Sequence, residues 1–223
     1  ISNIPSVKID GLYTHFATSD EKDKNFAKLQ LQRFNEIIKL LKTNNINYGI
    51  LHTANSGAIL DIPESYFDMV RPGISLYGYY PSLNTTESIA LKPVMSLFSR
   101  VSSVRELSSG ESTSYGRKFI AKRKTTIASV PFGYADGLNR LLTNKMKVIV
   151  KDKVFDQIGT VTMDRVMINT KNQKLKVGDK VILLGNSKNI SITAWDWSKI
   201  IKTIPYEITC NINKRVPRIY TNQ

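Results

Sequence analysis

The chain has 223 residues, with 32 Lys and Arg against 18 Asp and Glu, giving a net charge of +14 with both histidines neutral. Its 41% hydrophobic and 22% charged residues suit a folded globular protein and exclude wholesale disorder, and no apolar run reaches the roughly 18 residues of a membrane-spanning helix. A single Cys excludes an intrachain disulfide and any multi-cysteine metal centre.

The chain opens Ile1-Ser2-Asn3-Ile4, with neither Met nor a basic and apolar leader. It therefore reads as a piece of something longer, without a signal peptide. Residues 7–14 are short and β-branched and predict a strand. Thr18 and Glu21 stand at capping-box spacing, which predicts a helix start. Phe26, Leu29, Phe34, Ile37, Ile38 and Leu41 follow as one apolar stripe, and Asn44-Asn45 ends a helix of about 20 residues. Residues 46–51 predict a second strand, 56–61 a short helix and 74–78 a third strand. Strand–helix–strand–helix–strand implies right-handed crossovers and a parallel sheet, hence α/β.

From Pro93 the pattern becomes β-rich. Residues 94–107 are a long Val- and Ser-rich stretch. Short apolar runs follow at 126–130, 148–150, 158–161, 166–168 and 181–184, separated by turn residues. One helix interrupts them from Thr193 to about Thr203, with Thr193 and Asp196 at capping-box spacing. Charge divides at the same place. Residues 1–90 carry eight basic and nine acidic side chains, a balance of −1, whereas residues 91–223 carry 24 and nine, a balance of +15. These two criteria place two domains at 1–90 and 91–223.

In a parallel α/β fold, ligands bind beyond the C-terminal ends of the strands. His15 follows the first predicted strand, His52-Thr53-Ala54-Asn55-Ser56 the second, and Arg71-Pro72-Gly73-Ile74 leads into the third. Asn55-Ser56 opens a short helix and Gly73-Ile74 offers adjacent backbone N–H groups, a set able to hold a phosphate. Taken singly, each has an ordinary structural explanation, since a lone strand-end His is usually a hydrogen-bonder and Asn-Ser usually a cap. In the second domain, Ser114-Tyr115-Gly116 and Gly133-Tyr134-Ala135-Asp136-Gly137 set tyrosines in glycine-rich turns. Such a Tyr is either a packing residue or, with a cation beside it to offset a phenol's usual pKa of about 10, a proton-transfer group.

Together these motifs resemble the alanine racemase family. The matching segments are Gly11-Leu12-Tyr13-Thr14-His15-Phe16-Ala17-Thr18, His52-Thr53-Ala54-Asn55-Ser56, Arg71-Pro72-Gly73-Ile74-Ser75-Leu76-Tyr77-Gly78, Ser114-Tyr115-Gly116, Gly133-Tyr134-Ala135-Asp136-Gly137, Met163-Asp164, and Pro205-Tyr206-Glu207 with Arg215-Val216-Pro217-Arg218. Their order and spacing are the family's, from one end of the chain to the other.

The resemblance implies the last strands of a TIM-type (β/α)8 barrel over residues 1–90, then an all-β C-terminal domain over 91–223. It implies pyridoxal 5'-phosphate (PLP) as cofactor, L- and D-alanine as substrates, and a homodimer whose active site is shared across the interface. It further implies a bacterial cytoplasmic enzyme supplying D-alanine for peptidoglycan, with neither nucleic acid nor membrane as partner. Tyr115 matches the tyrosine that moves the Cα proton on one face of the partner's substrate. Arg71 matches the arginine facing the pyridine nitrogen, His52 its buttress and His15 a residue near the ring. Asn55 matches a cofactor-binding position, and Ser56, Gly73, Ile74 and Tyr206 the phosphate site. Met163 matches a residue whose backbone N–H meets the carboxylate of the partner's substrate. Asp20, Tyr134 and Arg140 match positions lining the substrate's route inward.

The sequence departs from the family in having no PLP lysine followed by Ala-Asn-Ala-Tyr-Gly, which is expected to leave residues 1–223 inactive alone, their N-terminal part absent or on a separate chain. Thr160 and Thr162 also differ, standing where the family commonly has a basic residue and a Cys. Two other readings stay open. One is a serine-preferring racemase, against which the bulk of Tyr206 argues. The other is a basic, non-catalytic binding module, against which the lack of interleaved aromatics argues.

Overall fold

A computed structural model describes residues 4–221, so the three residues that open the chain lie outside it. The chain forms two compact units, Ile1–Val94 and Met95–Gln223.

In the first unit, β1 (Gly11–Tyr13) and β2 (Ile50–His52) pair in parallel, with Tyr13 opposite His52. The crossover helix α1 (Asn25–Thr43) buries Ala27, Leu31, Phe34 and Ile38, spaced four, three and four. Phe26, Leu29 and Ile37 lie exposed, so the buried stripe is displaced from the one read in sequence. The helix also starts later than the Thr18/Glu21 spacing predicts. Ser19 donates to Asn55 Oδ1 at 2.6 Å and is fully buried, so this segment braces the next helix. Thr18 Oγ1 is buried without a hydrogen-bond partner among the described residues, and Asp23 accepts from the Asn25 N–H at 2.8 Å. Helix α2 (Ser56–Asp61) has Asn55 as its N-cap, accepting from the Ala58 N–H. Phe16, Ala27, Leu31, Ala54, Ala58 and Ile62 form the core between these elements.

The third predicted strand is a 3-10 turn, Ile74–Tyr77. Ser75 is drawn to Ser56 Oγ by both its N–H and its hydroxyl, and local bonds Leu76 N–H to Gly73 O and Gly78 N–H to Ser75 O close the turn. Gly78 exits at φ 84° against Lys92, where a Cβ would lie 1.8 Å from the carbonyl oxygen. The sheet among the described residues of this unit therefore has two strands, not three.

The second unit is a sheet of eight strands: β3 (Leu97–Arg100), β4 (Ser103–Leu107), β7 (Thr125–Val130), β8 (Lys147–Val150), β9 (Lys153–Ile158), β10 (Val166–Asn169), β11 (Lys180–Ser187) and β12 (Ile190–Ile192). A small hairpin, β5 (Ser112–Thr113) with β6 (Phe119–Ile120), stands beside it. The pairing path runs β4-β7-β10-β9-β8-β11, and β11 also pairs with β3. Since β3 and β4 are joined by Val101 and Ser102 alone, the path closes on itself, which removes most open edges. The single stretch read over 94–107 is thus two strands bent apart. The run read over 158–161 is a strand only to Ile158, because Gly159 turns away at φ 72°.

Helix α3 (Ala194–Ile201) carries the Thr193–Asp196 capping box, and Lys202 ends it in the left-handed conformation at φ 59°. A second helix, α4 (Pro205–Asn211), follows directly. Sequence analysis gave no helix here, although Pro205 at the first helical position is a favourable helix start.

Candidate active site

In the first unit the strand ends converge on Arg71. Its Nη1 donates to His52 Nδ1 at 2.5 Å and to the His52 carbonyl at 2.9 Å. Its Nη2 donates to the Thr14 carbonyl at 3.0 Å and the Thr53 carbonyl at 3.3 Å, and approaches His15 Nδ1 at 3.4 Å. Three carbonyls and His52 Nδ1 therefore fix one guanidinium, with His15 Nδ1 close by, and Nε takes part in none of these contacts. Burial first, and the Arg71 charge second, hold the His52 pKa below its usual 6.5. Tyr13, paired with His52 in the sheet, stacks on its ring at 5.2 Å and 6°, and Arg71 lies 5.3 Å from the Tyr13 ring. Sequence reading missed Tyr13, although its place one strand over from His52 was available as a sign.

Ser56, 2% exposed, gathers the second cluster. Its Oγ is met by the Gly73 N–H at 2.9 Å, the Ser75 N–H at 3.3 Å and the Ser75 hydroxyl at 3.1 Å. A hydroxyl oxygen has two lone pairs, so three donors oversupply it. Asn55 joins the two clusters: its Nδ2 lies 3.5 Å from His15 Nε2 while its Oδ1 caps α2. His15 thus faces a donor at each ring nitrogen, and a neutral imidazole can accept from only one. Ile74 is buried at the turn. Asp20 takes part through its backbone, accepting from the Ser82 hydroxyl at 2.5 Å, and its N–H abuts Gly57.

In the second unit Tyr115 sits on the turn between β5 and β6, 75% exposed. It shares an open depression of about 450 Å³ with Thr113, Ser114, Thr162, Arg165 and Met167. Tyr134 and Met163 are brought together by their backbones, since the Tyr134 N–H donates to Thr162 O and the Ala135 N–H to Met163 O, each at 3.0 Å. A Cβ at Gly133 would lie 2.2 Å from Met163 O, so glycine is required there. Asp136 accepts from the Gly133 N–H at 2.9 Å, and Arg215 links Asp136 to Asp164. Arg140, itself exposed, opens a 3-10 turn, Arg140–Leu142, that is anchored by buried Leu142 and whose next residue, Thr143, accepts from the Val161 N–H. Tyr206 is the second residue of α4 and its carbonyl accepts from the Thr209 hydroxyl.

The two units together define a chain of α/β plus closed-sheet architecture with an arginine-centred polar cluster on the α/β part. Residues 1–81 match the family model described as alanine racemase, N-terminal domain, and residues 94–220 that of the alanine racemase C-terminal domain. The chain belongs to the alanine racemase family. Alanine racemase 2 of Caldanaerobacter subterraneus is 45% identical over 221 residues, covering 99% of this chain and 57% of that protein. The crystal structure of Bacillus anthracis alanine racemase with bound L-Ala-P superposes with a TM-score of 0.93 at 35% identity, over 98% of this chain and 56% of that one. Alanine racemase from Bartonella henselae, with covalently bound pyridoxal phosphate, gives 0.84 at 29% identity over 96% and 57%. The chain thus spans less than two thirds of the length of these relatives. No helix among the described residues is long and apolar enough to cross a membrane.

Proposed function

We propose that this chain is part of a PLP-dependent racemase that interconverts L- and D-alanine, its first unit being the later strands of a TIM-type barrel. The single observation that carries the reading is the fixed Arg71 cluster, in the family's own residues, beside a Ser56 site with more donors than acceptors. That surplus suits a phosphate, which brings acceptor oxygens only, and the residues therefore fit the cofactor. Ser56, Gly73 and Ile74 would hold the phosphate. Asn55 and His15 would flank the ring.

When bound, PLP supplies an electron sink that makes the Cα–H bond of an amino acid acidic. Arg71 would donate to the pyridine nitrogen without surrendering a proton, because a guanidinium is not deprotonated in proteins. That contact would keep electron withdrawal weak and so limit the chemistry to proton exchange on Cα. His52 keeps Arg71 aimed. Tyr115 Oη takes or returns the Cα proton on one face, reaching the site of a second copy in a homodimer. The Met163 N–H would meet the substrate carboxylate in that second copy, with Tyr134 and Arg140 lining the approach there.

The lysine that would anchor PLP is absent from residues 1–223 in the family's motif, and this reading puts it elsewhere in the complete enzyme, a bacterial cytoplasmic protein feeding cell-wall synthesis. The test is chiral analysis of L-alanine and L-serine incubated with the complete enzyme and with residues 1–223 alone. The expected result is racemisation by the complete enzyme only, with alanine much faster than serine. A complete enzyme that leaves L-alanine untouched overturns the reading.

A further inference from the structure

The turn carrying Tyr115 is held from outside itself. β5 and β6 pair through Ser112 with Ile120 and Thr113 with Phe119, and the hairpin is extended away from the turn by Ala121 N–H to Glu111 O and Gly110 N–H to Ala121 O, so none of its cross-strand bonds lies within residues 114–118. Ser114, Gly116 and Arg117 all have positive φ, at 71°, 70° and 49°. Ser114 combines φ 71° with ψ 167°, a conformation open essentially to glycine and kept by other residues only where surroundings impose it.

Those surroundings are the segment 157–160. The Ser114 hydroxyl donates to Thr160 O at 2.6 Å, and Thr160 Oγ1 donates to Tyr115 O at 2.6 Å. Thr160 is buried, 2% exposed. Gly159 passes so close that a Cβ there would lie 2.7 Å from Ser114 Cβ. At the far end of the turn Asn144 donates to Lys118 O at 3.2 Å while accepting from the Gly159 N–H at 2.5 Å. The Asn144 N–H in turn donates to the buried Gln157 Oε1 at 2.7 Å. Both ends of the turn are thus pinned to one buried segment, and the Tyr115 phenol is left projecting.

We propose that Ser114 and Thr160 are positioning residues for Tyr115, their reciprocal hydrogen bonds setting the backbone from which the phenol reaches the substrate. The proposal rests on Tyr115 being the proton-transfer residue. A displacement near 1 Å costs such a group about 100-fold in rate. Thr160→Val keeps the shape and removes the hydroxyl, and Thr160→Ser restores it.

In the complete enzyme, Thr160→Val is expected to lower kcat for alanine about 10- to 100-fold with KM within about twofold, and Thr160→Ser to stay near wild type. The same Val variant should exchange the amides of residues 114–118 about tenfold faster, by hydrogen-exchange mass spectrometry, with β7 and β10 unchanged. If Thr160→Val does not fold, Ser114→Ala carries the same expectations. Wild-type kcat, unchanged exchange at 114–118, or faster exchange throughout the unit would each overturn the proposal. Full activity in Tyr115→Phe would instead remove the reading beneath it, while the exchange experiment still reports whether the two residues hold the turn.

Discussion

The Arg71 guanidinium meets His52 Nδ1 at 2.5 Å, so the imidazole presents a lone pair there and carries its proton on Nε2. A protonated ring would set two cations against each other at that distance. Burial and the arginine charge both favour the neutral form, and the Tyr13 ring stacked on His52 restricts its rotation. The pair is therefore a charged group on a neutral support, with its direction set by the carbonyls of Thr14, His52 and Thr53.

That support titrates. A histidine whose folded pKa lies below its unfolded value binds fewer protons folded than unfolded, so stability falls as pH drops from the ordinary 6.5 through the folded pKa. Above 6.5 the group contributes no slope. Thermal melts of wild type and His52→Gln should therefore run parallel above about pH 7 and diverge below about pH 6.5, with wild type losing stability faster. Parallel behaviour across the whole range would show that His52 does not titrate this way.

Asp61 is the more deeply held charge of the first unit. It pairs with Lys24 at 2.7 Å, the two side chains being 5% and 19% exposed. Thr86 donates to it from both N–H and hydroxyl. Burial alone would raise its pKa, but the Lys24 and Thr86 bonds outweigh it and hold the carboxyl below its usual 3.8. Its contribution is present above 3.8 and lost as pH falls through the folded value. Asp61→Ala leaves Lys24 without its charge partner, holding only the Ser19 carbonyl at 2.7 Å, and is expected to cost about 3 kcal/mol in a denaturant titration at neutral pH. A cost under about 0.5 kcal/mol would place the pair with ordinary surface bridges.

How much of this was legible follows from which forces act locally. The Asn55 cap of α2 and the Thr193–Asp196 box are short-range and read directly from sequence. Ser19 and Ser75 are different, because their partners Asn55 and Ser56 are 36 and 19 residues away, and those bonds override the local helix and strand signals. The buried face of α1 was misplaced because Phe26, Leu29 and Ile37 also follow a helical spacing, and only packing distinguishes the two stripes. Arg71 and His52 were found as motif members, whereas Thr160 looked only like a missing basic residue. Its work on the Tyr115 backbone depends on a contact across 45 residues.

Gly133 joins the stability of the second unit to its chemistry. Its φ of −144° suits any residue, so the constraint is space alone: a Cβ would press on Met163 O at 2.2 Å and Thr162 O at 2.3 Å. Gly133→Ala is expected to push the Met163 bend from the Tyr134 turn, costing about 2 kcal/mol and, in the proposed racemase, raising KM for alanine more than it lowers kcat. Unchanged KM and melting temperature would mean the turn shifts freely.

Tyr115→Phe removes one hydroxyl from an exposed side chain whose backbone is held by Thr160, so folding and cofactor binding should not change. Loss of a positioned acid or base costs about 100- to 10,000-fold in rate. On the proposed reading the loss should be equal in both directions, because a phenol that removes the Cα proton from one enantiomer would have to return it when the other is the substrate. Alanine deuterated at Cα separates the two faces. In the variant, label should still wash out of one enantiomer and stay in the other, with the PLP absorbance band at wild-type strength. Full racemisation by the variant, or label lost equally from both enantiomers, would show that the proton on that face is moved by a residue other than Tyr115.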